Sequence, residues 1–370
     1  MEAIVMAYPV LTGSVLIEAN GAALNSAGRA ESLRTENAIV VKQIRVGRFR
    51  FPYISGQAWR RWWRETLYGD FGWTPSEVIR EAKNAYTKGD PIAFEEDDLF
   101  GYMVARKRQR GRGMEEREDI ESAMGTNRRV SPLKNSPLIS VLPNVITVDF
   151  GHFSRNLPPG ADAVPFEFEH YTTFFQGVFT VSLTDVGCFA AGEMADLSVE
   201  VLKSHWDELH QIPGEQPVYL LPMSERVRRV RDVLLALAHL RGGARLARNL
   251  SDVSPVVVLV GFLNGGNAPF QRLFEPDENN ERVLLNLPRL HSILEDYRDR
   301  LLVVAESKVV FFGYRPTVLA NEADVLKEFQ KDKLFSECIE VVGTPQQALK
   351  IAAELIGPIF EEYVCPGEEL

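Results

Sequence analysis

The sequence predicts an α+β fold, because segments with strand and helix patterns are mixed along the chain and no internal repeat is present. Residues 255–263 are almost entirely apolar, which is typical of a central strand buried on both faces. Residues 224–240 have the length of a long helix, which the pair Gly242 and Gly243 would end. We therefore expect a sheet with helices packed against it.

The first part of the chain predicts strands, helices and one irregular insertion. The segment 106–127 is dense in both charges and in glycine and has no apolar period, so we expect it to be mobile. The other expected elements are a strand at 10–18, a polar loop at 20–36, a strand at 38–46, a helix from Ser55 to about residue 68, and a helix at 75–85.

The second part predicts short strands followed by alternating helices and strands. A Pro-Pro-Gly turn signal within residues 152–171 indicates a projecting hairpin or loop. Ser224 is the expected N-cap of the helix that ends near residue 240. The remaining expected elements are strands at 138–142, 145–150, 174–183, 255–263, 308–313 and 337–342, and helices at 282–301, 322–335 and 345–363.

Composition excludes several classes of protein. A length of 370 residues allows one large domain or two to three smaller ones, and the ordinary apolar content excludes wholesale disorder. No apolar run is long enough to span a bilayer, and the first residues contain neither a basic leader nor a cleavage site, so we expect a cytoplasmic protein without a membrane partner. Cys188, Cys338 and Cys365 are far apart, which argues against a disulfide framework or a zinc site.

Charge is distributed unevenly along the chain. The net charge is −10, which is not typical of a uniformly basic nucleic-acid-binding protein. Residues 25–64, however, contain nine lysines and arginines and only two acids, Glu31 and Glu36, so this segment carries +7. A basic segment in an acidic chain indicates a confined site for a polyanion. The alternative, a solvated charged face, remains open on charge alone.

The segment 55–67 predicts a helix with two chemically different faces. At about 100° per residue, one side carries the indoles of Trp59, Trp62 and Trp63, and we expect it to be buried. Along the helix only Glu65, four residues after Arg61, can pair with an arginine, so most of the positive charge should stay uncompensated. The opposite side carries Gln57, Arg60, Arg61 and Arg64.

This polar face is suited to phosphate oxygens, because guanidinium groups are planar, permanently charged and bidentate. The preceding loop adds Arg48, Arg50 and aromatic residues that can stack on bases, which is typical of single-stranded nucleic-acid binding. The helix N-terminus at Ser55 can offer free backbone N–H groups to a phosphate. The alternative is a surface helix whose arginines pair with acids from elsewhere in the fold.

Two further segments are candidates for phosphate binding. Residues 241–249 place the glycines 242 and 243 among three arginines, and glycine allows a backbone to approach a ligand closely. A helix end followed by a charged turn is the alternative there. Residues 128–134 could bind phosphate or form a basic loop edge, and the side chains concerned are Arg128, Arg129, Ser131 and Lys134.

Signals for an enzyme are weak. Residues 70–72 and 149–151 both spell Asp-Phe-Gly, but no glycine-rich loop, strand lysine or catalytic-loop motif accompanies them. No Walker A or HExxH motif occurs, and the six histidines lack zinc-ligand spacing. Asp97 and Asp98 could hold a metal ion or could form a solvated turn. We therefore expect no catalytic residue, no metal and no cofactor.

The order of four segments resembles the DevR-type backbone subunit, the seventh Cas protein, of type I CRISPR Cascade complexes of subtype I-B. The match extends across residues 10–265. The four segments are Leu24-Asn-Ser26; Tyr53-Ile-Ser-Gly-Gln-Ala58; Asp98-Leu-Phe-Gly-Tyr102 with Arg129-Val-Ser-Pro-Leu-Lys-Asn-Ser-Pro137 after an insertion; and Gly242-Gly-Ala-Arg-Leu-Ala-Arg-Asn249 before Ser254-Pro-Val-Val-Val258.

This resemblance implies a single hand-shaped domain over residues 1–370. Its palm would be ferredoxin-like and related to RNA-recognition motifs, with a flexible finger insertion at 95–135 and a projecting thumb hairpin at 147–172. In that family, several copies polymerise along a guide RNA and grip its backbone without reading its sequence. The implied partners are the guide crRNA, the target DNA strand, further copies of the chain in a helical filament, and other Cascade subunits, namely the large subunit and the guide-end subunits.

The resemblance also implies which residues contact RNA. Those of the thumb would be His152, Phe153 and Arg155, near its root, and those of the glycine loop Gly242, Gly243, Arg245 and Arg248. Those of the palm would be Asn25, Ser26, Arg48, Arg50, Ser55, Gln57, Arg60, Arg61 and Arg64, with Arg128, Arg129, Ser131 and Lys134 beside them.

Related subunits of type III complexes cleave RNA with an aspartate in the loop after the first strand. Here that loop, residues 20–37, contains no aspartate, so we expect binding without cleavage. One alternative is a metal-dependent endoribonuclease of the same superfamily that uses Glu31, Asp97 or Asp98. Another is an interaction scaffold that binds no nucleic acid.

Overall fold

The structure is a computed structural model that describes residues 8–30, 38–81, 84–106, 125–192, 194–304 and 310–365. Its strands, in chain order, are β1 (Pro9–Ala22), β2 (Ser26–Ala30), β3 (Ala38–Val41), β4 (Gln43–Val46), β5 (Phe49–Ile54), β6 (Ile79–Glu81), β7 (Asn84–Tyr86), β8 (Tyr102–Arg106), β9 (Gly125–Arg129), β10 (Leu133–Asn135), β11 (Leu138–Ser140), β12 (Ile146–Phe153), β13 (Val164–Ser182), β14 (Cys188–Ala190), β15 (His210–Ile212), β16 (Val218–Leu220), β17 (Pro255–Asn264), β18 (Phe274–Pro276), β19 (Val283–Leu285), β20 (Val310–Tyr314) and β21 (Ile339–Val341).

The α-helices are α1 (Gly56–Asp70), α2 (Glu95–Leu99), α3 (Val199–Ser204), α4 (Met223–Ala238), α5 (Leu287–Asp296), α6 (Glu322–Lys331), α7 (Lys333–Cys338), α8 (Pro345–Glu354) and α9 (Ile356–Ile359). Short 3₁₀ turns occur at Trp206–Glu208 and Arg298–Arg300, and a π-helical turn at Phe360–Val364 follows α9. None of the helices in the described part of the chain is long and apolar enough to cross a membrane.

One large mixed sheet organises the fold, which is α+β as predicted. Its strands follow the order β21–β20–β17–β1–β13–β11–β5–β4, and β2, β3, β10 and β12 attach at the side of this path. Strand β1 pairs on both sides, so Val15 lies opposite Gly177 of β13 and Val258 of β17. The run of valine and leucine in β17 suits this central position, because both faces of the strand are buried.

Helices cover both faces of this sheet. Because side chains alternate along a strand, Val15 packs with α1, α4 and α8 on one face, whereas Leu16 packs with α5, α6 and α7 on the other. Helix α1 is fixed on the first face by its three tryptophans, as the sequence predicts. The indole of Trp63 donates a 2.8 Å hydrogen bond to the carbonyl of Val233 in α4 and stacks on Trp59.

Strands β12 and β13 form the hairpin that the Pro-Pro-Gly signal predicts. The pairing runs from Ile146 opposite Tyr171 at the root to Phe153 opposite Val164 at the far end, and the turn occupies residues 154–163. The remainder of β13 continues into the middle of the large sheet, so the hairpin is an extension of the core strand.

Tertiary contacts overturn some predicted elements. The described residues of the segment 75–85 form no helix. The short strands β6 and β7 occur there, because Glu96 and Asp97 bind the backbone N–H and the hydroxyl of Ser76 and hold the segment extended. The expected N-cap Ser224 lies inside the first turn of α4, which begins after Pro222. Asp332 divides the expected helix at 322–335 into α6 and α7, since its side chain caps α7.

The elements after residue 282 and those at the predicted finger also differ in detail from the sequence prediction. The expected helix at 282–301 contains β19, α5 and a 3₁₀ turn, because β19 pairs with β18. The flanks of the predicted finger are the paired strands β8 and β9. The expected mobility concerns residues 106–127; residues 106 and 125–127 lie in the paired strands β8 and β9, and residues 107–124 lie outside the described residues.

Candidate nucleic-acid interface

The N-terminus of α1 lines an open cleft of about 580 Å³, which we call the α1 cleft. The loop after α2 and the connection between β9 and β10 form its other walls. Six of the predicted site residues therefore lie together although they are up to 79 residues apart in sequence. The polar side chains that line it include Ser55, Gln57, Arg60, Arg64, Ser131 and Lys134.

Ser55 begins α1 as predicted. Its hydroxyl accepts a hydrogen bond from the backbone N–H of Ala58 at 3.3 Å and another from the side-chain amide of Asn25 at 3.4 Å. The N–H groups of Gly56 and Gln57 in the first turn make no hydrogen bond within the described part of the chain. A helix N-terminus with free N–H groups favours an anion. Gln57 is exposed beside it, so both groups are accessible from the cleft.

The helix pattern predicts that Arg60 faces solvent, but its guanidinium group is hydrogen-bonded inside the protein. Its Nη1 donates to the carbonyl of Leu133 at 2.8 Å and to Asn135 Oδ1 at 3.1 Å, and its Nη2 donates to the carbonyl of Phe100 at 2.7 Å and to Ser131 Oγ at 3.0 Å. Four of the five guanidinium N–H groups therefore hold the cleft walls together, so the expected exposed orientation is wrong; the RNA contact of Arg60 stays a prediction.

The charge of Arg60 nevertheless stays in the cleft. Its partners among the described residues are neutral oxygens, so no carboxylate cancels the charge. Burial, together with the neighbouring Arg64, lowers the pKa of Arg60 to about 10, and the group remains protonated at neutral pH. Arg60 therefore contributes a positive potential without offering its donors.

Arg64 and Arg61 each lie beside a glutamate of opposite charge. Arg64 Nε lies 3.5 Å from Glu96 Oε2 of α2, so an acid from a distant helix supplies the partner that α1 itself lacks, as the alternative interpretation allows. Both Arg60 and Arg64 stack on the ring of Phe100, at 4.9 and 5.3 Å. Arg61 pairs with Glu65 at 2.7 Å as predicted and is otherwise largely exposed.

A second basic surface lies on the hairpin of β4 and β5. Arg45 and Arg50 are directly opposite each other across the ribbon, and both are exposed. Like charges directly opposite each other are destabilising, so this part of the ribbon carries a concentrated positive charge at a cost in stability. Arg45 is not among the predicted site residues, although the two-residue turn Gly47-Arg48 implies its pairing with Arg50. Arg48 at the turn lies over the ring of Phe49 at 5.1 Å.

The basic segment 128–134 separates into buried and exposed residues. Arg129 does not present the basic edge that its sequence predicts, because its side chain is 4% exposed and its Nη2 pairs with Asp98 at 2.6 Å. Ser131 is used internally, since its hydroxyl accepts from Arg60 and bonds to the carbonyl of Leu99. Arg128 and Lys134 are exposed, and these two remain candidates.

In residues 241–249, which we call the glycine–arginine loop, the two glycines are required for a different reason from the one that the sequence indicates. A Cβ on Gly242 would lie 2.2 Å from Cγ of Trp62, and one on Gly243 would lie 2.6 Å from a methyl carbon of Leu24. Both glycines have positive φ. The close approach that glycine allows is therefore an approach to the protein's own core, and it fixes the loop against α1.

Two arginines of this loop face the outer half of the β12–β13 hairpin, where Phe153 and Val164 also line the cleft. Arg245 and Arg248 line a small cleft with Phe166 and Phe168, and Arg248 lies 5.3 Å from the centre of the Phe168 ring. Burial and the neighbouring Arg248 lower the pKa of Arg245. This row of aromatic rings and cations is suited to bases and phosphates.

The remaining residues that were expected to contact RNA are either exposed at the far end of the hairpin or hydrogen-bonded within the fold. His152, Phe153 and Arg155 are exposed at the far end of the hairpin, not near its root as expected, because the strand pairing continues to Phe153. Asn25 is buried, and its carbonyl accepts the N–H of Lys42. The hydroxyl of Ser26 donates to the carbonyl of Val40. Asn25 and Ser26 therefore support the fold beside α1.

Asp97 and Asp98, two of the acids that the endoribonuclease alternative would use, are engaged in internal contacts. Asp97 Oδ2 accepts hydrogen bonds from Ser76 and from the N–H groups of Gly89 and Asp90, and burial raises its pKa. Asp98 is completely buried against Arg129 and Arg229. No group of three or more His, Cys, Asp or Glu that could hold a metal ion occurs among the described residues. Glu31 and Glu36 lie outside them.

Comparison with known proteins relates this chain to CRISPR-associated proteins. Chains of two solved assemblies, described as "CRISPR RNA-guided surveillance complex" and "CRISPR RNA-guided surveillance complex, pre-nicking", are similar in structure. The first has a TM-score of 0.46 and 11% identity over 93% of this chain and 99% of that chain. The second has a TM-score of 0.48 and 9% identity over 94% of this chain and 100% of that chain. No curated protein matches significantly.

A family model described as "CRISPR-associated negative auto-regulator DevR/Csa2" matches residues 13–280. The matched segment contains α1, the cleft beside it, the hairpin and the glycine–arginine loop. Because the match covers most of the sequence, this chain belongs to the CRISPR-associated DevR/Csa2 family.

Proposed function

We propose that the chain is a non-catalytic, RNA-binding backbone subunit of a type I CRISPR Cascade complex of subtype I-B. Several copies line up along the guide RNA and support recognition of the target DNA strand, together with the large subunit and the guide-end subunits. The basis for this proposal is membership of the DevR/Csa2 family together with the chemistry of the α1 cleft.

The observation that carries the proposal is the combination of donors and cations around the N-terminus of α1. Free N–H groups, the exposed side chains of Gln57 and Lys134, and the charge of Arg60 face one concave surface. Arg45 and Arg50 continue the positive charge along the neighbouring ribbon. Donors and cations without base-sized pockets suit a sugar–phosphate backbone, whose affinity depends little on sequence.

A ferredoxin-like palm is the framework that we propose for this surface. Its support is the strand order β17–β1–β13–β11 within the large sheet, with α1 between β1 and β11 in the chain and α4 between β13 and β17. A β-α-β-β-α-β unit with two helices on one face has this order of elements. The β12–β13 hairpin is the proposed thumb, and residues 95–135 are the proposed finger.

The test is a binding measurement with labelled single-stranded RNA over a range of salt concentrations. The triple variant Arg45→Ala, Arg50→Ala, Lys134→Ala should bind at least tenfold more weakly at low salt. Each lost phosphate contact should lower the slope of log affinity against log salt by about 0.7. The variant Arg298→Ala removes an exposed arginine at a distance from the cleft and should bind normally. Equal affinity of the triple variant and the native chain would contradict the proposal.

The proposed absence of catalysis has its own measurement. Incubation of the purified chain with labelled RNA and magnesium should leave the RNA intact, because Asp97 and Asp98 are engaged in internal contacts. Metal-dependent cuts that disappear in Asp97→Asn would favour the endoribonuclease instead.

A further inference from the structure

The face of the sheet that carries α5, α6 and α7 contains a second cleft of about 630 Å³, which we call the sheet cleft. Its floor crosses five adjacent strands, namely β1, β13, β11, β5 and β4. Strand β18 and the residues beside it form a wall on one side, and β4 is the last strand of the sheet on the other side. Of the three helices on this face, only α5 reaches the cleft, through Arg289 at its mouth.

The floor of the sheet cleft is apolar and partly exposed to water. Ile44 lies directly opposite Phe51, and Val46 lies directly opposite Phe49, so these four side chains share one face of the β4–β5 ribbon. The arginine pair of the ribbon lies on the other face, so the ribbon separates an apolar surface from a basic one. Val46 is 59% exposed. An exposed apolar groove of this kind is typical of a protein interaction site.

The dimensions of the cleft favour an α-helix as its occupant. Three strand spacings separate β13 from β4, which is about 14 Å at about 4.8 Å each. An α-helix with its side chains is about 10–12 Å wide. Elsewhere on this face, α5, α6 and α7 pack their apolar side chains into the same cluster as Leu16 of the sheet. A helix in the sheet cleft therefore continues a layer that the chain itself leaves incomplete.

A second copy of this chain does not supply such a helix. The longer helices, α1, α4, α5, α6 and α8, each bury their apolar residues in the core of their own chain. Among the described residues of the α-helices, Val199 is the only large apolar side chain that is mainly exposed, and its helix, α3, has six residues. The occupant therefore belongs to a different protein.

The charges at the mouth of the cleft indicate an acidic partner. Arg272 and Arg289 lie there, and neither forms an ion pair within the described ranges; Arg289 donates to the carbonyl of Arg272 at 3.1 Å. The acid beside them, Glu275, is engaged, since its Oε2 accepts a hydrogen bond from the side-chain amide of Asn286 at 2.6 Å. Two exposed guanidinium groups at the border of an apolar groove are suited to carboxylates that flank the apolar stripe of a helix.

We propose that the sheet cleft binds an amphipathic helix of a different protein, and that this helix carries acidic residues along the border of its apolar stripe. Apolar side chains of the helix fill the groove over Phe51 and Ile139, as in other helix-in-groove complexes. The inference goes beyond RNA binding, because the partner occupies the apolar face of the ribbon and leaves the basic face free.

Two synthetic helical peptides test this inference with the full chain. Both contain leucine at every third or fourth position, and the borders of the leucine stripe are glutamate in one peptide and lysine in the other. In fluorescence anisotropy, the glutamate peptide should bind at least tenfold more tightly than the lysine peptide. Arg272→Glu with Arg289→Glu should reverse this preference, and these two substitutions change exposed side chains only.

A second pair of variants locates the binding site. Val46→Asp with Phe49→Asp should weaken binding of the glutamate peptide at least tenfold. Val199→Asp with Val303→Asp, which changes exposed apolar residues elsewhere, should bind this peptide normally. Equal affinity of the native chain for the two peptides, or no binding of either, would overturn the inference. An unchanged preference after charge reversal at the mouth would overturn it as well.

Other occupants of the cleft give different results. An added strand would protect the amides of Gln43 and Arg45 from hydrogen exchange, because Lys42 and Tyr53 form a hydrogen-bonded pair and the alternate residues of β4 therefore face its free edge. Displacement of the glutamate peptide by short single-stranded RNA would mean that RNA occupies the cleft. Sedimentation of the native chain as a dimer that the cleft substitutions dissociate would mean that a second copy does so. Each of these three results would contradict the proposed helix.

Discussion

Nη2 of Arg129 lies 2.6 Å from Oδ1 of Asp98, and both side chains are almost completely removed from water. Asp98 also pairs with Arg229 at 2.9 Å and accepts the N–H of Gly187. One carboxylate from α2 thus joins β9, α4 and the segment that follows β13. These contacts fix the short helix that supplies Phe100 to the α1 cleft.

Asp98→Asn should therefore destabilise the protein severely, because it removes the buried carboxylate that two buried guanidinium groups share. Arg129 then keeps only Asp196 at 3.4 Å, and Arg229 keeps only the partly exposed Glu225 at 2.8 Å. Removal of one member of a buried ion pair costs about 3–5 kcal/mol, and urea unfolding will measure it. Asp70→Asn is the matched control, since Asp70 pairs with Arg241 at the surface and should contribute about 1 kcal/mol or less. Similar losses for the two variants would contradict the role of the buried cluster.

Arg60→Ala should reduce stability and loosen the cleft. The variant loses four hydrogen bonds and takes the donor from the carbonyl of Phe100, whereas the carbonyl of Leu133 keeps the hydroxyl of Ser131; we expect a cost of about 2–3 kcal/mol. Hydrogen exchange should become faster in residues 131–135, and the affinity for RNA should fall as a consequence. Arg61→Ala, next to it and exposed, should change stability by no more than about 0.5 kcal/mol.

A different result for Arg60 would have a clear meaning. If Arg60→Ala kept native stability and native exchange rates but lost RNA binding, its guanidinium would contact the RNA directly. The exposed orientation expected from the helix pattern would then apply in the bound state.

Gly242→Ala should be destabilising because the new methyl group meets the indole of Trp62. Overpacking of this kind costs about 1–3 kcal/mol, and the positive φ of the residue adds strain. Thermal unfolding will measure the change, and the intrinsic fluorescence of Trp62 should shift with it. Gly214→Ala is the control, since the nearest atom to its Cβ is 3.7 Å away; an equal loss there would exclude the contact with Trp62 as the cause.

Much of α1 could be predicted from sequence, because the residues that define its buried face and its start are close together in the chain. The spacing of Trp59, Trp62 and Trp63 defines the buried face, and Ser55 defines the start of the helix. The hairpin at residues 146–171 follows in the same way from its turn signal. A period of 3.6 residues or a tight turn requires no knowledge of distant parts of the chain.

The function of individual arginines could not be predicted in this way. The oxygens that bind Arg60 come from Phe100, Ser131, Leu133 and Asn135, which lie 40–75 residues away in sequence. Arg129 and Arg128 are neighbours with the same charge, yet one is buried against Asp98 and the other is exposed. Tertiary contacts decide which guanidinium groups remain available to a ligand, and a local sequence pattern does not predict those contacts.

Stability should also depend on pH through His205, whose Nε2 lies 3.0 Å from Asp90 and whose Nδ1 lies 2.7 Å from Glu208. Partial burial alone would lower the pKa of His205, but its hydrogen bonds to Glu208 and Asp90 raise it overall. The folded pKa therefore exceeds the unfolded value of about 6.5, and the protonated form is favoured by folding. Its contribution is complete below the unfolded pKa and is lost as pH rises through the folded pKa.

His205→Gln should remove this dependence. The native chain should lose more unfolding free energy than the variant when the pH is raised from about 6 to about 8.5, across the interval in which histidine titrates. Urea unfolding at the two pH values will measure the difference. His210→Gln changes an exposed histidine on the adjacent strand β15 and should keep the native dependence. A variant profile that parallels the native one would show that the contacts to Asp90 and Glu208 do not stabilise the charged imidazole.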